Sequence, residues 1–124
     1  MDEILDSYTF DINSINLFCK KLSKLPDLTR FIKLKTLECM SNQLTELNNL
    51  PNTLTELRCS NNYLTDVSNL PNSLTKLYCM YNRLTELTNL PNMLIELKCD
   101  NNQLTTLNNL PKTLTALYCN NNVI

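Results

Sequence analysis

The sequence contains no glycine, no histidine and no tryptophan in its 124 residues. Without glycine there is no Gly-rich loop that lets backbone approach a phosphate, so P-loop and dinucleotide-binding fingerprints are excluded. Without histidine, the most common general base and the most common metal ligand are both missing. Ser-His-Asp and Cys-His catalytic centres and mixed Cys/His zinc sites are therefore excluded as well. The composition favours a binding protein over an enzyme, and we expect no catalytic residues, no cofactor and no metal site.

Charge is also nearly balanced, with 11 Lys plus Arg against 12 Asp plus Glu. No block of like charges stands out, so we expect neither nucleic acid nor an anionic membrane surface as a partner. Residues 1–6 are acidic and lack the long apolar run of a secretory signal or a transmembrane segment. We therefore expect an intracellular, cytoplasmic protein in a reducing compartment, where its six cysteines stay free.

What the chain does have is leucine and asparagine, 26 and 20 residues respectively, arranged with a period of twenty. A fixed period of this length is the signature of a repeat architecture. The cysteine, asparagine and proline positions that recur are Cys39, Cys59, Cys79, Cys99 and Cys119; Asn42, Asn62, Asn82, Asn102 and Asn122; and Pro51, Pro71, Pro91 and Pro111. The consensus is L-x-x-L-x-C-x-x-N-x-L-T-x-L-x-N-L-P-x-x, with four complete copies over residues 34–113 and a partial fifth over 114–124.

This unit resembles the leucine-rich repeat family, whose characteristic stretch is L-x-x-L-x-L-x-x-N-x-L. Residues 54–64 reproduce that stretch with Cys59 in the third apolar position. The short unit with its Leu-Pro step is similar to the repeats of bacterial effector proteins, and the cysteine variant is similar to leucine-rich repeat proteins of giant DNA viruses. The resemblance implies an α/β-class, right-handed curved superhelix with the sheet on its concave face. It also implies a protein partner, in particular an intracellular host protein.

The physics of one unit agrees with a solenoid of stacked turns. Leu57 and Cys59 are two apart, so they point to one side of a short strand, while Glu56 and Arg58 point to the other. A 20-residue unit leaves no room for a helix beside a strand and two turns, so we expect extended or 3₁₀ segments on the convex side. One unit cannot bury its leucines alone, but stacked units form a parallel sheet over a continuous leucine core.

The recurring polar and thiol positions predict columns of identical side chains. The column from Asn42 to Asn122 is expected to satisfy backbone groups of its own and the next unit, because a side-chain amide both donates and accepts. The column Asn49, Asn69, Asn89 and Asn109 is expected to act similarly on the outer side. Since glycine is absent, we expect asparagine to carry the turns that need positive φ. The cysteines occupy an inward position, so buried packing is favoured over disulfides, metal binding or redox chemistry, and Cys19 fits the same count.

Both ends of the chain break the pattern. Residues 1–33 are interpreted as an N-terminal cap with one degenerate repeat, with a helical turn within residues 27–33; a separate docking motif is the alternative. Residues 34–124 form the repeat domain. At the other end the partial repeat leaves an apolar strand edge, and open edges invite pairing. We expect a two-fold homodimer through this end, or a tail folded over it; the edge residues are Leu114, Leu117, Tyr118, Val123 and Ile124.

The outward strand positions are the candidate binding surface. Large amphipathic side chains at its centre are surrounded by cations, the composition that interface centres favour. The predicted partner-binding residues are Glu56, Arg58, Lys76, Tyr78, Met80, Tyr81, Glu96, Lys98, Asp100 and Tyr118. The plainer alternative is that charges of alternating sign, together with the pair Glu38–Arg58, simply stabilise an exposed sheet, and that scattered exposed Tyr and Met have no function.

The sequence thus predicts a non-enzymatic protein-interaction module that binds a protein through its concave face. The alternative is a self-assembling structural or scaffold solenoid with no dedicated ligand, which associates through its C-terminal edge.

Overall fold

The computed structural model describes residues 2–124 and contains one sheet of six parallel strands. Each strand pairs with the next along the chain, and none is longer than three residues. The strands are β1 Ser14–Asn16, β2 Thr36–Glu38, β3 Glu56–Arg58, β4 Lys76–Tyr78, β5 Glu96–Lys98 and β6 Ala116–Tyr118. In β2 to β5 the central leucine is fully buried and its two neighbours face solvent. The predicted parallel solenoid is confirmed.

The segments between strands contain no helix in the described part of the chain, apart from the 3₁₀ helix Asp2–Leu5. Extended backbone and turns fill the side opposite the sheet, as expected. Each Leu-Pro step closes a turn instead: the Leu74 amide, for example, donates to the Pro71 carbonyl at 3.2 Å. Leucines from both sides of every unit meet in a single core that runs from Leu5 to Leu104.

A column of buried asparagines holds successive units together, as predicted. The Nδ2 of Asn62 donates to the Cys59 carbonyl at 3.0 Å and to the Cys39 carbonyl of the preceding unit at 3.1 Å. Its Oδ1 accepts the Leu44 amide of that same preceding unit at 3.0 Å. Asn82, Asn102 and Asn122 repeat these contacts one unit further on each time. One side chain per unit thus satisfies backbone groups that the turn would otherwise bury unpaired.

Positive φ angles recur at two positions of the unit, and asparagine fills most of them, as expected. The first position follows the strand, with φ between 55° and 59° at Cys19, Ser41, Asn61, Tyr81, Asn101 and Asn121. The second lies before the Leu-Pro step, at Asn49, Asn89 and Asn109. For this second column the predicted side-chain ladder is wrong. These residues are exposed and serve through backbone conformation, since no side-chain hydrogen bond involves them in residues 2–124.

The first repeat is in a different register from the one that its cysteine predicts. Ile15 pairs with Leu37, 22 residues later, whereas later strands pair at an offset of 20. Leu17 therefore occupies the position of Cys39, and it is buried in the core. Cys19 falls two positions further on, in the positive-φ turn, and is exposed. The prediction that all six cysteines belong to the core is wrong for Cys19 and only partly right for Cys119, which is half-buried.

The N-terminal residues close their end of the sheet. Leu5 is 2% exposed and joins the core, and Ile4, Tyr8 and Ile12 pack against it. The Tyr8 hydroxyl lies 3.2 Å from both the amide nitrogen and the carbonyl oxygen of Asn16, on the outer edge of β1. This contact caps backbone groups that an edge strand would leave open. The helical turn expected within residues 27–33 is absent: Phe31 donates to Leu28, and Leu34 donates to Phe31, in two separate turns.

The last unit is packed less completely than the others. Leu114, Leu117 and Cys119 are only partly buried, whereas their counterparts Leu94, Leu97 and Cys99 are fully buried. In residues 2–124, no helix has the length and apolar composition that crossing a membrane requires.

Thiol reactivity provides a direct check on the cysteine placement. All six cysteines are free; burial raises the pKa of Cys39 and Cys99 to about 12 and raises the pKa of Cys59 and Cys79 well above the usual value for a thiol. Because the thiolate is the reactive form, a disulfide reagent at pH 8 should modify Cys19 first and Cys119 more slowly. The four buried thiols should react only after unfolding. Cys19→Ser should remove the fast phase, and rapid modification of Cys59 in the native protein would contradict the structure.

Candidate functional site

The ten predicted partner-binding residues lie on one side of the sheet or at its edge. We call this surface the sheet face: the solvent-facing residues of β2–β6 and the two or three residues that follow each strand. Lys76, Tyr81 and Tyr118 are exposed, and the other seven are half-buried. The structure thus brings the predicted residues together on one surface. That this face is concave, and that the superhelix is right-handed, stay predictions.

Arg58 ties the first part of the sheet face together. Its Nε donates to the Glu56 carboxylate at 2.6 Å within the same strand, and its guanidinium lies 3.7 Å from Glu38 on β2. The cross-strand pair Glu38–Arg58 is therefore present, as expected. The alternating column Glu56–Lys76–Glu96 does not form ion pairs, since Lys76 has no carboxylate within 4.0 Å in the described residues. Glu56 turns to its own strand instead.

Tyr78 is the most constrained side chain of the sheet face. Its hydroxyl donates to the Glu96 carboxylate at 2.7 Å. The Arg58 guanidinium lies 5.3 Å from the centre of its ring, and the Lys98 ammonium lies 4.8 Å from it. Lys98 also lies 5.3 Å from the Tyr118 ring. Cations and aromatic rings thus alternate from β3 to β6, and each contact contributes about 0.5–1 kcal/mol at an exposed site.

The backbone beyond the strands is fixed by two polar contacts. The Ser60 hydroxyl is buried, donates to the Tyr78 carbonyl at 3.3 Å and accepts the Met80 amide at 3.1 Å. The Asp100 carboxylate accepts the Asn120 amide at 2.7 Å. Met80 and Asp100 are therefore held at defined positions next to the tyrosines. A surface whose side chains and backbone are already ordered loses less conformational entropy when it binds a partner.

Tyr81 has a left-handed backbone conformation, which its position in the repeat alone did not reveal. Its φ of 55° lies in the left-handed region, which is unfavourable for a bulky residue and far more acceptable to asparagine. Its side chain is also 55% exposed, so burial offsets little of that cost. Strain retained at an exposed site is a physical reason to suspect function there.

Two exposed residues beside the sheet face, Met93 and Ile95, were not among the predicted residues. Apart from Lys35 in the first complete unit, their equivalents in the other units are serine or threonine, whose hydroxyls bond the preceding unit: Thr113 donates to the Leu94 carbonyl at 2.6 Å, and Thr75 to the Thr55 carbonyl at 3.1 Å. Met93 is 57% exposed and Ile95 is 44% exposed. Comparing each column along the repeats, rather than seeking aromatic and charged residues, would have found both.

The predicted dimer edge lies at the last unit. Leu114 and Leu117 are partly buried, and Tyr118, Val123 and Ile124 are 46%, 68% and 63% exposed. They form a partly apolar surface, but nothing in the single chain brings them to a partner.

The chemistry that these residues can perform is recognition. In the described part of the chain, no three His, Cys, Asp or Glu residues are grouped so that they could hold a metal ion. The side-chain groups held in place on the sheet face are the Tyr78 ring, the Arg58 guanidinium, the Lys98 ammonium and the carboxylates of Glu56, Glu96 and Asp100, which offer flat apolar area with hydrogen-bond donors and acceptors. The absence of enzymatic activity stays a prediction.

The environment of Tyr78 can be tested by phenolate absorbance. Its pKa is raised to about 12, first because partial burial disfavours the phenolate and then because Glu96 accepts a hydrogen bond from the neutral hydroxyl and repels the negative charge of the phenolate. Folding therefore favours the neutral form, and its contribution to stability is present below pH 10 and falls as pH rises toward 12. A component of the absorbance at alkaline pH should titrate near 12, and Tyr78→Phe should remove it. Persistence of that component in Tyr78→Phe would assign it to another tyrosine.

Comparisons with known proteins place this geometry among solved repeat structures. No family model and no curated protein sequence matches the chain. The LRR domain of a Shigella effector is 33% identical, with a TM-score of 0.81 over 90% of this chain and 50% of that one. YopM from Yersinia enterocolitica is 34% identical, with a TM-score of 0.71 over 84% of this chain and 22% of that one. The chain thus spans half the length of the first structure and less than a quarter of the second.

The stacked parallel strands and the 20-residue unit agree with those solenoids. The chain is therefore a leucine-rich repeat protein of the effector-like type, a repeat module of the kind that serves protein–protein interaction.

Proposed function

We propose that the chain is a non-enzymatic interaction module that binds a protein partner through the sheet face. The observation that carries this proposal is the fixed position of Tyr78 between Arg58 and Lys98, with its hydroxyl on Glu96. Tyrosine and arginine are the residues enriched at interface hot spots, and their effect is largest where they are held in place. An exposed sheet that only stabilises the fold does not need a row of ordered aromatic rings. A surface that contacts another protein does benefit from one.

The dimensions of the sheet face limit how a partner binds. Five strands at a spacing of about 4.8 Å span about 19 Å across the sheet. A standard interface buries about 800 Å² on each partner, more than a patch of that width and one short strand in length offers. The partner therefore either binds with modest affinity or also contacts residues beside the face.

The proposal extends to the partner and the compartment. One of the similar structures is the LRR domain of a Shigella effector, and by analogy we propose a host protein as the partner. An intracellular, cytoplasmic location, that of the host where the protein acts as an effector, is part of the same proposal. It is supported by six free thiols, four of which are buried in the core, because such thiols suit a reducing compartment.

Affinity capture from host-cell lysate tests the proposal. Tyr78→Ala/Tyr81→Ala should reduce the amount of every specific partner at least about tenfold, since one hot-spot residue is worth about 2 kcal/mol or more and tenfold corresponds to about 1.4. The matched control is Tyr63→Ala, because Tyr63 is exposed but lies beyond the asparagine column and stacks on Arg83 at 4.4 Å. Equal capture by wild type and the double variant would refute binding through the sheet face.

A second candidate is the self-assembling scaffold without a dedicated ligand. The observation that favours it is incomplete burial at the last unit, where Leu114 and Leu117 remain partly exposed and Leu94 and Leu97 are fully buried. A two-fold homodimer that joins two copies of β6 would cover these leucines and extend the sheet across both chains.

Light scattering on the 124-residue chain separates this candidate from the first. The dimer predicts twice the chain mass of 14.3 kDa at micromolar concentration, and Leu117→Lys should return it to a monomer because a charge would be buried at the centre of the joint. A wild-type monomer at that concentration would remove the homodimer, while leaving partner binding through the sheet face untouched.

A further inference from the structure

Three exposed residues of the third and fourth units depart from the residue types that their columns favour. Tyr81, Met93 and Ile95 stand where most other units have asparagine, serine or threonine. All three are large, and they are 55%, 57% and 44% exposed. Such a substitution is easiest to explain where the new side chain serves binding instead of stability. The location of the three residues relative to one another indicates what they would bind.

Tyr81 carries a conformational cost. Every residue of its column has φ between 55° and 59°, and the column otherwise holds Cys19, Ser41 and three asparagines. Asparagine visits this region readily, whereas a bulky side chain does so against steric repulsion. No side-chain hydrogen bond involves Tyr81 within residues 2–124, and its backbone amide bonds Asp100 as any residue would. The fold gains nothing visible from a tyrosine here.

Met93 and Ile95 interrupt two rows of hydroxyl bonds. In the first row Thr53 and Ser73 donate to the Leu34 and Leu54 carbonyls at 2.8 and 2.6 Å, and Met93 leaves the Leu74 carbonyl without such a donor. In the second row Thr55 and Thr75 donate to the preceding unit at 3.1 Å, and Ile95 cannot. Each change replaces an inter-unit hydrogen bond with exposed apolar surface.

The three residues lie at opposite ends of one strip that runs across the sheet face, with Met93 and Ile95 just beyond its border. Ile95 immediately precedes β5, and Tyr81 follows the end of the neighbouring strand β4. Between them, the paired rows are Lys76 with Glu96 and Tyr78 with Lys98, followed by Met80 and Asp100. The strip is about six residues long, which at about 3.3 Å per residue is about 20 Å. Apolar groups mark its two ends, and polar groups fill its middle.

The two lysine ammonium groups in the middle of the strip have no hydrogen-bond acceptor in the described residues. Each carboxylate, by contrast, already accepts one hydrogen bond: Glu96 from the Tyr78 hydroxyl and Asp100 from the backbone amide of Asn120. The ammonium groups of Lys76 and Lys98 have no carboxylate within 4.0 Å in the described residues. Lys98 is instead held over two tyrosine rings. An acceptor with negative charge is the group that this arrangement would pair with best.

We infer that this strip, residues 76–81 with 93–101, binds one extended segment of the protein partner that runs along β4 and β5. The segment carries an Asp or Glu near its middle, which pairs with Lys98 and Lys76. Apolar side chains on either side of that carboxylate contact Met93 and Ile95 at one end and Met80 and Tyr81 at the other. The inference rests on the proposed function, and it supplies the contacts beside the sheet face that the narrow sheet lacks.

The first test needs no partner. The variant Tyr81→Asn/Met93→Thr/Ile95→Thr restores the residue types of the three columns, so it should remove the left-handed tyrosine and re-form two hydroxyl bonds. Its Tm should be several degrees higher than that of wild type, because small gains in stability shift Tm by that amount in a domain of this size. A Tm that falls would overturn the inference, since the wild-type residues would then have a structural role.

The second test uses random twelve-residue peptides displayed on phage and selected on the wild-type chain. Enriched peptides should contain a carboxylate flanked by apolar residues and should bind the restored triple variant at least about tenfold more weakly. The control variant Ile32→Thr/Tyr63→Asn removes exposed apolar side chains outside the strip and should bind like wild type. A second variant, Tyr78→Ala/Lys98→Ala, removes the centre of the sheet face, which the strip shares, and leaves the apolar ends of the strip in place.

The outcomes separate the inference from the proposed function. Loss of binding in both the triple variant and Tyr78→Ala/Lys98→Ala, with the control unaffected, supports the strip. Loss only in Tyr78→Ala/Lys98→Ala overturns the strip and keeps the sheet face as the binding surface. Peptides that bind all variants equally, or a selection that enriches none, would overturn both.

Discussion

The structure depends on one requirement: every turn of the solenoid buries backbone groups that must find a partner inside the protein. One asparagine per unit meets it. Asn62 joins carbonyls of its own unit and of the unit before, and accepts the Leu44 amide, so its amide group is shared between two turns. Because the same backbone groups recur in every unit, each asparagine sets the register of two neighbouring turns, and Asn42 does so even across the 22-residue offset between β1 and β2. The parallel register and the alignment of leucines into a core follow from these contacts.

The same requirement explains how the chain folds without glycine. A turn that follows each strand needs positive φ, and asparagine is the residue with a side chain that accepts it most readily. Asn61, Asn101 and Asn121 take this position, and Ser41 and Tyr81 follow the same backbone because the neighbouring units hold it in place. A residue less suited to the turn is thus forced into it by the stack. The repeat determines the backbone conformation of Tyr81, while its side chain is not needed by the fold. For this reason Tyr81 points to a role in binding.

Sequence periodicity was sufficient for the solenoid, the order of strands and the membership of the sheet face, because a 20-residue repeat repeats its geometry. Sequence periodicity gave the wrong position for a residue where the number of residues between two strands differs from 20. Cys19 fits the count of the cysteine column, yet the 22-residue offset between β1 and β2 puts Leu17 in that position. It also failed where side chains choose among partners. Arg58 lies within reach of two carboxylates, and only the structure shows that Glu56 in its own strand is the nearer.

A repeat protein offers an unusual way to locate function, because each unit serves as a reference for the others. Residues that agree with their column are explained by the stack: the leucines, the asparagines and the hydroxyls of Thr53, Thr55, Ser73 and Thr75 all bond or pack between units. Those that depart from it at a cost to the fold need another explanation. Charge alone is a poor guide, since Glu56, Glu96 and Asp100 are occupied within the chain. Departure from the column, exposure and a lost internal bond coincide at Met93 and Ile95, and strain replaces the lost bond at Tyr81. The same solenoid forms in proteins that differ from this chain in most of their residues. The residues that distinguish the surface of this chain are therefore those that depart from the residue types of their columns.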